Sequence, residues 1–465
     1  MMSSNGSHYG LDAQPDVVNK AVRSVPVDPV WDWEFDKAFA VLRTLVDFAE
    51  VERAHPSRSN AVYTTSVMLW MLVYQRLNPD RSLEAAVKQM IENPPDLLPD
   101  NVRVTEWALS TNTGAYSQAR TRLPVEASRR FAERVNQSLI EVTPPSLGTR
   151  WVSVFDGSTL TLAPESELKK YYPPASNQYG VGVWLVALIV IAHELASGAA
   201  LIPEVGAMYG SHAVSETTLI HRGLAQMPPD SVALADSAFG IFTVAYAAHG
   251  AGHKPVLRVT PVQFETLRCL AQLVSHRETT TTWKLDWQPS ACVRRDHPEL
   301  PAEASLKVQL HAVQIHADLT LSLVSDLPDS AQTLADLYER RTDVEIDIRN
   351  LKVVLDIEHI QARSHEIFLK ELMTSLVSYH LVIQFRRQAA ALAKLPPRGL
   401  SFKRIWTTFR TFLLSSLTSD AAHCRQRYRL ALHHALRDKL PNREGRHFER
   451  EVYQKRPKSP HFKTR

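Results

Sequence analysis

Apolar residues recur with a helical period at both ends of the chain and with a strand period in the middle. Thr64 to Leu77 (TTSVMLWMLVYQRL) is a strongly apolar helix that Pro79 ends. Ser82 opens another, with Leu83, Val87 and Met90 at helical spacing, and a mixed apolar pattern from Trp31 to about Arg53 predicts a helix before it. Ser117 to Arg122 and Arg129-Arg130 add small basic faces. Residues 1–30 are polar and bury too little apolar surface to offset their ordering entropy, so they are expected to be disordered.

At Trp151 the texture changes to strands. WVSVFDGSTLTL, Trp151 to Leu162, alternates as a strand, turns at Asp156-Gly157 and returns. Asp-Gly is a leading hairpin dipeptide, but an Asp at a strand end beside a permissive Gly also suits a metal ligand. Val181 to Ala192 is an unbroken apolar run, too short to span a bilayer, and predicts a buried central strand. A return follows through Ser197 to Pro203, then a helix from about Ser215 with Leu219, Ile220 and Leu224. Val232 to Leu234 predicts a short buried strand with Asp236 at its carboxyl end, where the ordinary role of an Asp is to cap a helix. Ile241 to Ala248 is helical and Pro255 to Thr260 is a strand. This alternation points to an α/β sheet with its functional residues at strand ends. Residues 262–327 then read as β strands in an insertion.

Leu334 to Lys352 (LADLYERRTDVEIDIRNLK) is the chemically densest stretch. At roughly 100° per residue, Tyr338, Arg341, Glu345 and Lys352 share an arc about 60° wide. Asp343 and Asp347 point to the opposite side, and Leu337, Val344, Ile348 and Leu351 form an apolar stripe for docking. A phenol, a guanidinium, a carboxylate and an ammonium on one face suit gripping phosphates beside a metal, although a solvated helix face carries similar charges. A long helix from Ser364 to about Ala391 follows, Pro396-Pro397 breaks it, and a basic aromatic helix runs from Ser401 to Ser415. The last residues are rich in Arg and Lys.

Composition adds limits. The chain has 465 residues, 44% hydrophobic and 22% charged, which is room for two or three domains of a soluble globular protein. A net charge of +4 does not by itself imply nucleic acid. Cys269, Cys292 and Cys424 lie far apart without metal-finger spacing, which fits a reducing cytoplasm. No secretory signal or membrane span is visible. The histidines His193, His212, His249 and His253 form no recognisable ligand pair.

The spacing Tyr-x2-Arg-x3-Glu-x6-Lys of Tyr338, Arg341, Glu345 and Lys352 resembles the signature of the insertion-sequence-four family of DDE transposases. DGS around Asp156, ADSAFG around Asp236, the segment TGAYSQARTRLP and the tail Lys455 to Phe462 resemble blocks of the same family. The likeness spans most of residues 60–395, and the insertion falls between the second and third acids, as in that family. Some relatives carry an Arg after the second Asp where this chain has Ser237, which puts one phosphate contact in doubt.

The resemblance implies an RNase H-like mixed sheet with flanking helices and a β-rich insertion, preceded by an α-helical amino-terminal domain. The domain boundaries expected are 31–148 for a helical DNA-binding domain and 149–261 with 328–396 for the catalytic core. Residues 262–327 form the insertion and 397–465 a basic helical region and tail. Asp156, Asp236 and Glu345 are the implied catalytic acids and ligands of two Mg2+ ions, with Mn2+ as a substitute; hard oxygen donors suit such ions. Tyr338, Arg341 and Lys352 would hold DNA phosphates, and Trp283 or Trp287 would stack on a flipped base. The expected activity is cleavage and strand transfer at terminal inverted repeats, by a cytoplasmic, nucleoid-associated homodimer on double-stranded DNA. Two rivals are an RNase H-like nuclease without strand transfer and an inactive DNA-binding regulator.

Overall fold

The computed structural model describes residues 46–92, 95, 97–178, 180–317, 319–360, 362–416 and 421–440. The segment 1–30, most of the helix expected from Trp31 and the basic tail at Lys455 to Phe462 lie outside the described residues.

Helices come first: α1 (Phe48–Ala54), α2 (Thr65–Leu77), α3 (Leu83–Glu92), α4 (Val102–Thr105), α5 (Thr113–Arg122) and α6 (Val125–Glu141). Asp47 caps α1 by accepting from Ala49 N at 2.8 Å, and Thr64 caps α2 by accepting from Val67 N at 3.2 Å. Helix α2 is buried almost all round, as its uniformly apolar sequence requires.

Ten strands follow in one mixed sheet: β1 (Val152–Leu162), β2 (Pro174–Asn177), β3 (Gly180–Glu194), β4 (Glu204–Ala207), β5 (Val232–Ala235), β6 (Lys254–Arg258), β7 (Gln272–His276), β8 (Thr280–Trp287), β9 (Leu306–His316) and β10 (Leu319–Ser325). Their order is β2-β3-β1-β5-β6-β10-β9-β8-β7, with β4 also on β3. Strands β1, β5 and β6 are parallel, and the remaining pairings are antiparallel. The centre of the sheet is buried, which explains the unbroken apolar VALA of β5. Connecting helices are α7 (Ser166–Lys169), α8 (Glu216–Leu224), α9 (Phe242–Gly250), α10 (Pro261–Arg268) and α11 (Ala291–Asp296).

Two features differ from the sequence reading. Asp156-Gly157 is not a turn: β1 runs straight through it, paired with β3 from Ser153↔Glu194 to Leu162↔Leu185. The turn preference of the dipeptide is local and weak against ten consecutive rungs of an antiparallel ladder. The strands of 262–327 also continue the central sheet, because β10 pairs with β6.

Beyond the sheet lie α12 (Ala331–Glu339), α13 (Thr342–Arg349), α14 (His365–Leu392), α15 (Phe402–Ser416) and α16 (Ala421–Ala435). Ser364 caps α14, whose side chain accepts from Ile367 N at 3.4 Å. Helix α14 packs on α2, α6, α15 and α16, so front and rear helices share one core with the sheet. Ionic ties reinforce the join. Arg120 pairs with Glu371 on α14, Arg81 meets Asp356 at 2.6 Å, and buried Lys370 donates to the carbonyls of Arg120 and Thr121 at 3.2 and 3.1 Å. Among the described residues no helix is long and apolar enough to cross a membrane.

Candidate active site

Strand pairing brings the first two acids together. β1 pairs with β5 only from Val152↔Val232 to Val154↔Leu234. Asp156 therefore stands just past the last rung, and Asp236 follows β5 directly. Both sit where β5 leaves the sheet while β1 runs on beside β3. Asp236 does not cap α9, which begins only at Phe242; its Oδ1 accepts from Ala238 N at 2.9 Å in a tight turn.

The third acid comes from α13. The single straight helix expected from Leu334 to Lys352 is instead two helices and a wider turn. Between α12 and α13 the bonds tighten to a three-residue spacing: Arg341 N to Tyr338 O at 2.9 Å, Asp343 N to Arg340 O at 2.9 Å and Val344 N to Arg341 O at 3.1 Å. After α13, Asn350–Val354 forms a π turn closed by Leu355 N to Asn350 O at 3.0 Å. The polar row survives these breaks. Arg341 Nη2 meets Glu345 Oε1 at 2.7 Å. Lys352 Nζ reaches across to Ser158 Oγ on β1 at 3.2 Å and to Glu358 at 2.9 Å.

Burial pushes the Asp156 carboxyl up to about 6, and the charges of Asp236 and Glu345 push the same way. The Gly157 amide, which donates to Asp156 Oδ1 at 2.9 Å, and the Arg341 guanidinium oppose them. Tyr338 is buried, which raises its hydroxyl, while Arg341 and Arg258 beside it pull it back. The three acids, Tyr338 and Arg341 thus act on one another where the central strands β1 and β5 part, and Lys352 reaches β1 beside them.

A family model described as a transposase DDE domain matches residues 148–381, half of the chain. This chain belongs to the DDE transposase family. No curated protein matches it. Among solved structures it is similar to a piggyBac transposase in a cryo-EM synaptic complex with hairpin DNA. That likeness covers 91% of this chain and 89% of the other, at 10% identity and a TM-score of 0.42.

DDE transposases cleave DNA, and their domains generally use divalent metal ions. In this transposase the donors fit such an ion in kind, since three carboxylates supply hard oxygen ligands that repel one another without a cation between them. They are not gathered tightly around one point: among the described residues no group of three or more His, Cys, Asp or Glu is placed to hold a metal. Glu345 is held instead by Arg341.

Two side chains of the transposase site escape a sequence reading. Arg258, the last residue of β6, lies close enough to act on Tyr338. Glu216, the first residue of α8, lays its carboxylate over Gly157, in the space a Cβ would fill, and burial followed by the charge of Asp236 raises it. The one available signal was a Gly inside a strand, which marks a close approach. Gly240 is a second such place, because a Cβ there would overlap the Arg258 carbonyl. Gly240→Ala must therefore move backbone, and it is expected to destabilise the protein by about 1–3 kcal/mol. Urea unfolding reads this directly, and an unchanged midpoint would contradict it.

The two tryptophans of the transposase's β8 are placed differently. Trp287 is enclosed, its ring edge-on to Phe242 with centroids 5.6 Å apart. Trp283 is half-buried, edge-on to Phe264 at 5.7 Å. His193 and His253 are buried, and His249 meets Asp326 at 2.8 Å.

Proposed function

We propose that this protein is the transposase of a bacterial insertion sequence, binding terminal inverted repeats and catalysing DNA strand cleavage and strand transfer. The observation that carries the reading is that the charges of Asp236 and Glu345 act on Asp156 near the place where β5 leaves β1, with Arg341 on Glu345 and Lys352 on Ser158. The order β2-β3-β1-β5-β6, antiparallel and then parallel, supports an RNase H-like core.

Asp156, Asp236 and Glu345 would hold the divalent metal, which we take to be Mg2+ as an ion pair, replaceable by Mn2+. Two such ions supply activation of the attacking oxygen and stabilisation of the leaving one. For this the Arg341 fork must release Glu345, and a backbone phosphate is its natural new partner. Lys352, held over β1 by Ser158, offers a point charge to a neighbouring phosphate, and Arg258 with Tyr338 offers a third contact. Trp283 is the better placed tryptophan to stack on a flipped base, since Trp287 would first have to leave its enclosure. Residues 31–148 would bind the repeats, and the helices described in that range carry exposed basic positions such as Arg103 and Arg122. Synapsis of two ends calls for a homodimer, working on the nucleoid in the cytoplasm.

The test is incubation of the gene's own flanking DNA with wild type and Asp156→Ala, in Mg2+ and in EDTA. Cuts at inverted repeats that vanish in the variant and in EDTA are expected. Cuts indifferent to the repeats would favour a general nuclease, and binding without cutting a regulator.

A further inference from the structure

The back of α13, facing away from the acids, is tied into the molecule by an ionic cluster centred on buried Asp347, with no part in the chemistry above. Asp347, two residues after Glu345 and fully buried, meets Arg398 Nη2 at 2.6 Å. Arg398 Nε also approaches Asp343 at 3.7 Å. The same guanidinium donates to the carbonyls of Leu195 at 2.6 Å and Glu194 at 3.4 Å. Arg340, in the kink before α13, donates to Leu195 O at 3.1 Å and meets Asp343 at 3.6 Å.

Those carbonyls belong to the loop that ends β3, and this loop is shaped to present them. The buried Glu194 carboxylate accepts from Ala196 N at 2.9 Å, Ser197 N at 2.7 Å and Ser197 Oγ at 2.6 Å. Gly198, at φ +81°, leaves the room that Asp347 and Arg386 occupy: a Cβ there would stand 3.3 Å from both Asp347 oxygens and 2.9 Å from Arg386 Nη2. Glu194 itself is paired with Ser153 of β1, three residues before Asp156. A short path of polar contacts therefore joins the strand of the first acid to the helix of the third.

Buried ion pairs add little net stability, but their fixed geometry can specify one arrangement. Helix α13 needs such a device. It has eight residues, of which only Val344, Asp347 and Ile348 are buried, so the contacts of Asp347 supplement two apolar anchors. A catalytic side chain must be held to about half an ångström. We propose that Arg398 is a positioning residue for Glu345, fixing the rotation and height of α13 through Asp347 and the Leu195 carbonyl. The inference rests on the reading of Glu345 as a metal-holding acid.

Arg398→Lys keeps the charge and removes the planar fork. In the full chain it is expected to slow end cleavage about 10–100-fold, the usual cost of losing an outer-shell partner of a metal ligand. The Mg2+ needed for half-maximal rate should rise severalfold with affinity for end DNA unchanged. Without metal or DNA, amide exchange should quicken in 342–349 and not in 365–392. Arg340→Gln, which removes one partly exposed strand of the clamp, should give the same changes at smaller size. Wild-type Mg2+ dependence in both variants, or exchange quickened throughout the chain, would overturn the proposal. A wild type that cuts no DNA while Arg398→Lys loosens 342–349 alone would instead overturn the catalytic reading.

Discussion

Glu345→Gln is expected to lose DNA cleavage almost completely while the protein stays folded and still binds DNA. The side chain is exposed and pairs with Arg341, four residues earlier on the same helix edge, at 2.7 Å. Exposed pairs of this kind contribute at most about 1 kcal/mol, so a neutral isostere costs the fold little. The chemistry is another matter, since Gln lacks the charge that holds a divalent ion. Outer-shell partners of metal ligands already cost about 10–100-fold when removed, so a direct ligand should cost more than about a hundredfold. Single-turnover cleavage of end DNA, beside a binding titration and a thermal melt, separates the two effects. Cleavage within tenfold of wild type would remove Glu345 from the site. Arg341→Gln makes a useful contrast, because it frees Glu345 and takes away the phosphate contact proposed for Arg341. Its loss should fall on DNA affinity as well as on rate.

Why Glu345 stands out in the sequence, and its supports do not, follows from where each signal lies. The Tyr338, Arg341, Glu345 and Lys352 row is written within a few turns of one helix, and Arg341 and Glu345 still meet despite the kink at Arg340. That kink was invisible because both flanking segments carry helical periodicity; it shows only in the three-residue hydrogen bonds. Asp236 stood out because Val232–Ala235 is an apolar strand that ends on it. Asp156 was singled out but set in the wrong backbone, since a dipeptide preference competed with a ladder to a strand some thirty-five residues later. Glu216, Arg258 and Arg398 carried no local mark. They reach the site through pairings distant in sequence: Glu216 over Gly157, Arg258 beside Tyr338, Arg398 against Asp347. Periodicity did better for packing elements: the long helix expected from Ser364 to about Ala391 is α14, His365–Leu392, with Ser364 as its cap.

The folded protein is also expected to be acid-labile, through three buried histidines. Burial depresses His193 and His380 to about 3 and His311 to about 4; Arg398 adds to the effect at His193, while a hydrogen bond to Ala200 partly opposes it at His380. His380 Nε2 lies 3.1 Å from Ala200 N and 3.0 Å from Ala200 O, and His311 Nδ1 meets Thr282 Oγ1 at 3.1 Å, contacts that a neutral ring can make. In the unfolded chain each titrates near 6.5. Below that pH the unfolded state binds protons that the folded state refuses, so stability must fall as pH falls. The contribution is whole above 6.5 and drains away as pH drops toward 4 and then 3. Each histidine costs up to about 1.4 kcal/mol per pH unit in that window, which for one ring is about 2 kcal/mol between pH 7 and 5. Asp156, raised to about 6, and the buried Glu194 and Asp347, also raised, act with the opposite sign and blunt the total. A difference measurement removes that offset. His311→Gln lies on β9, away from all three acids, and should flatten the fall in urea-unfolding free energy between pH 7 and 5 by about 2 kcal/mol. An unchanged pH slope in this variant would mean that His311 already carries its proton in the folded protein at pH 5.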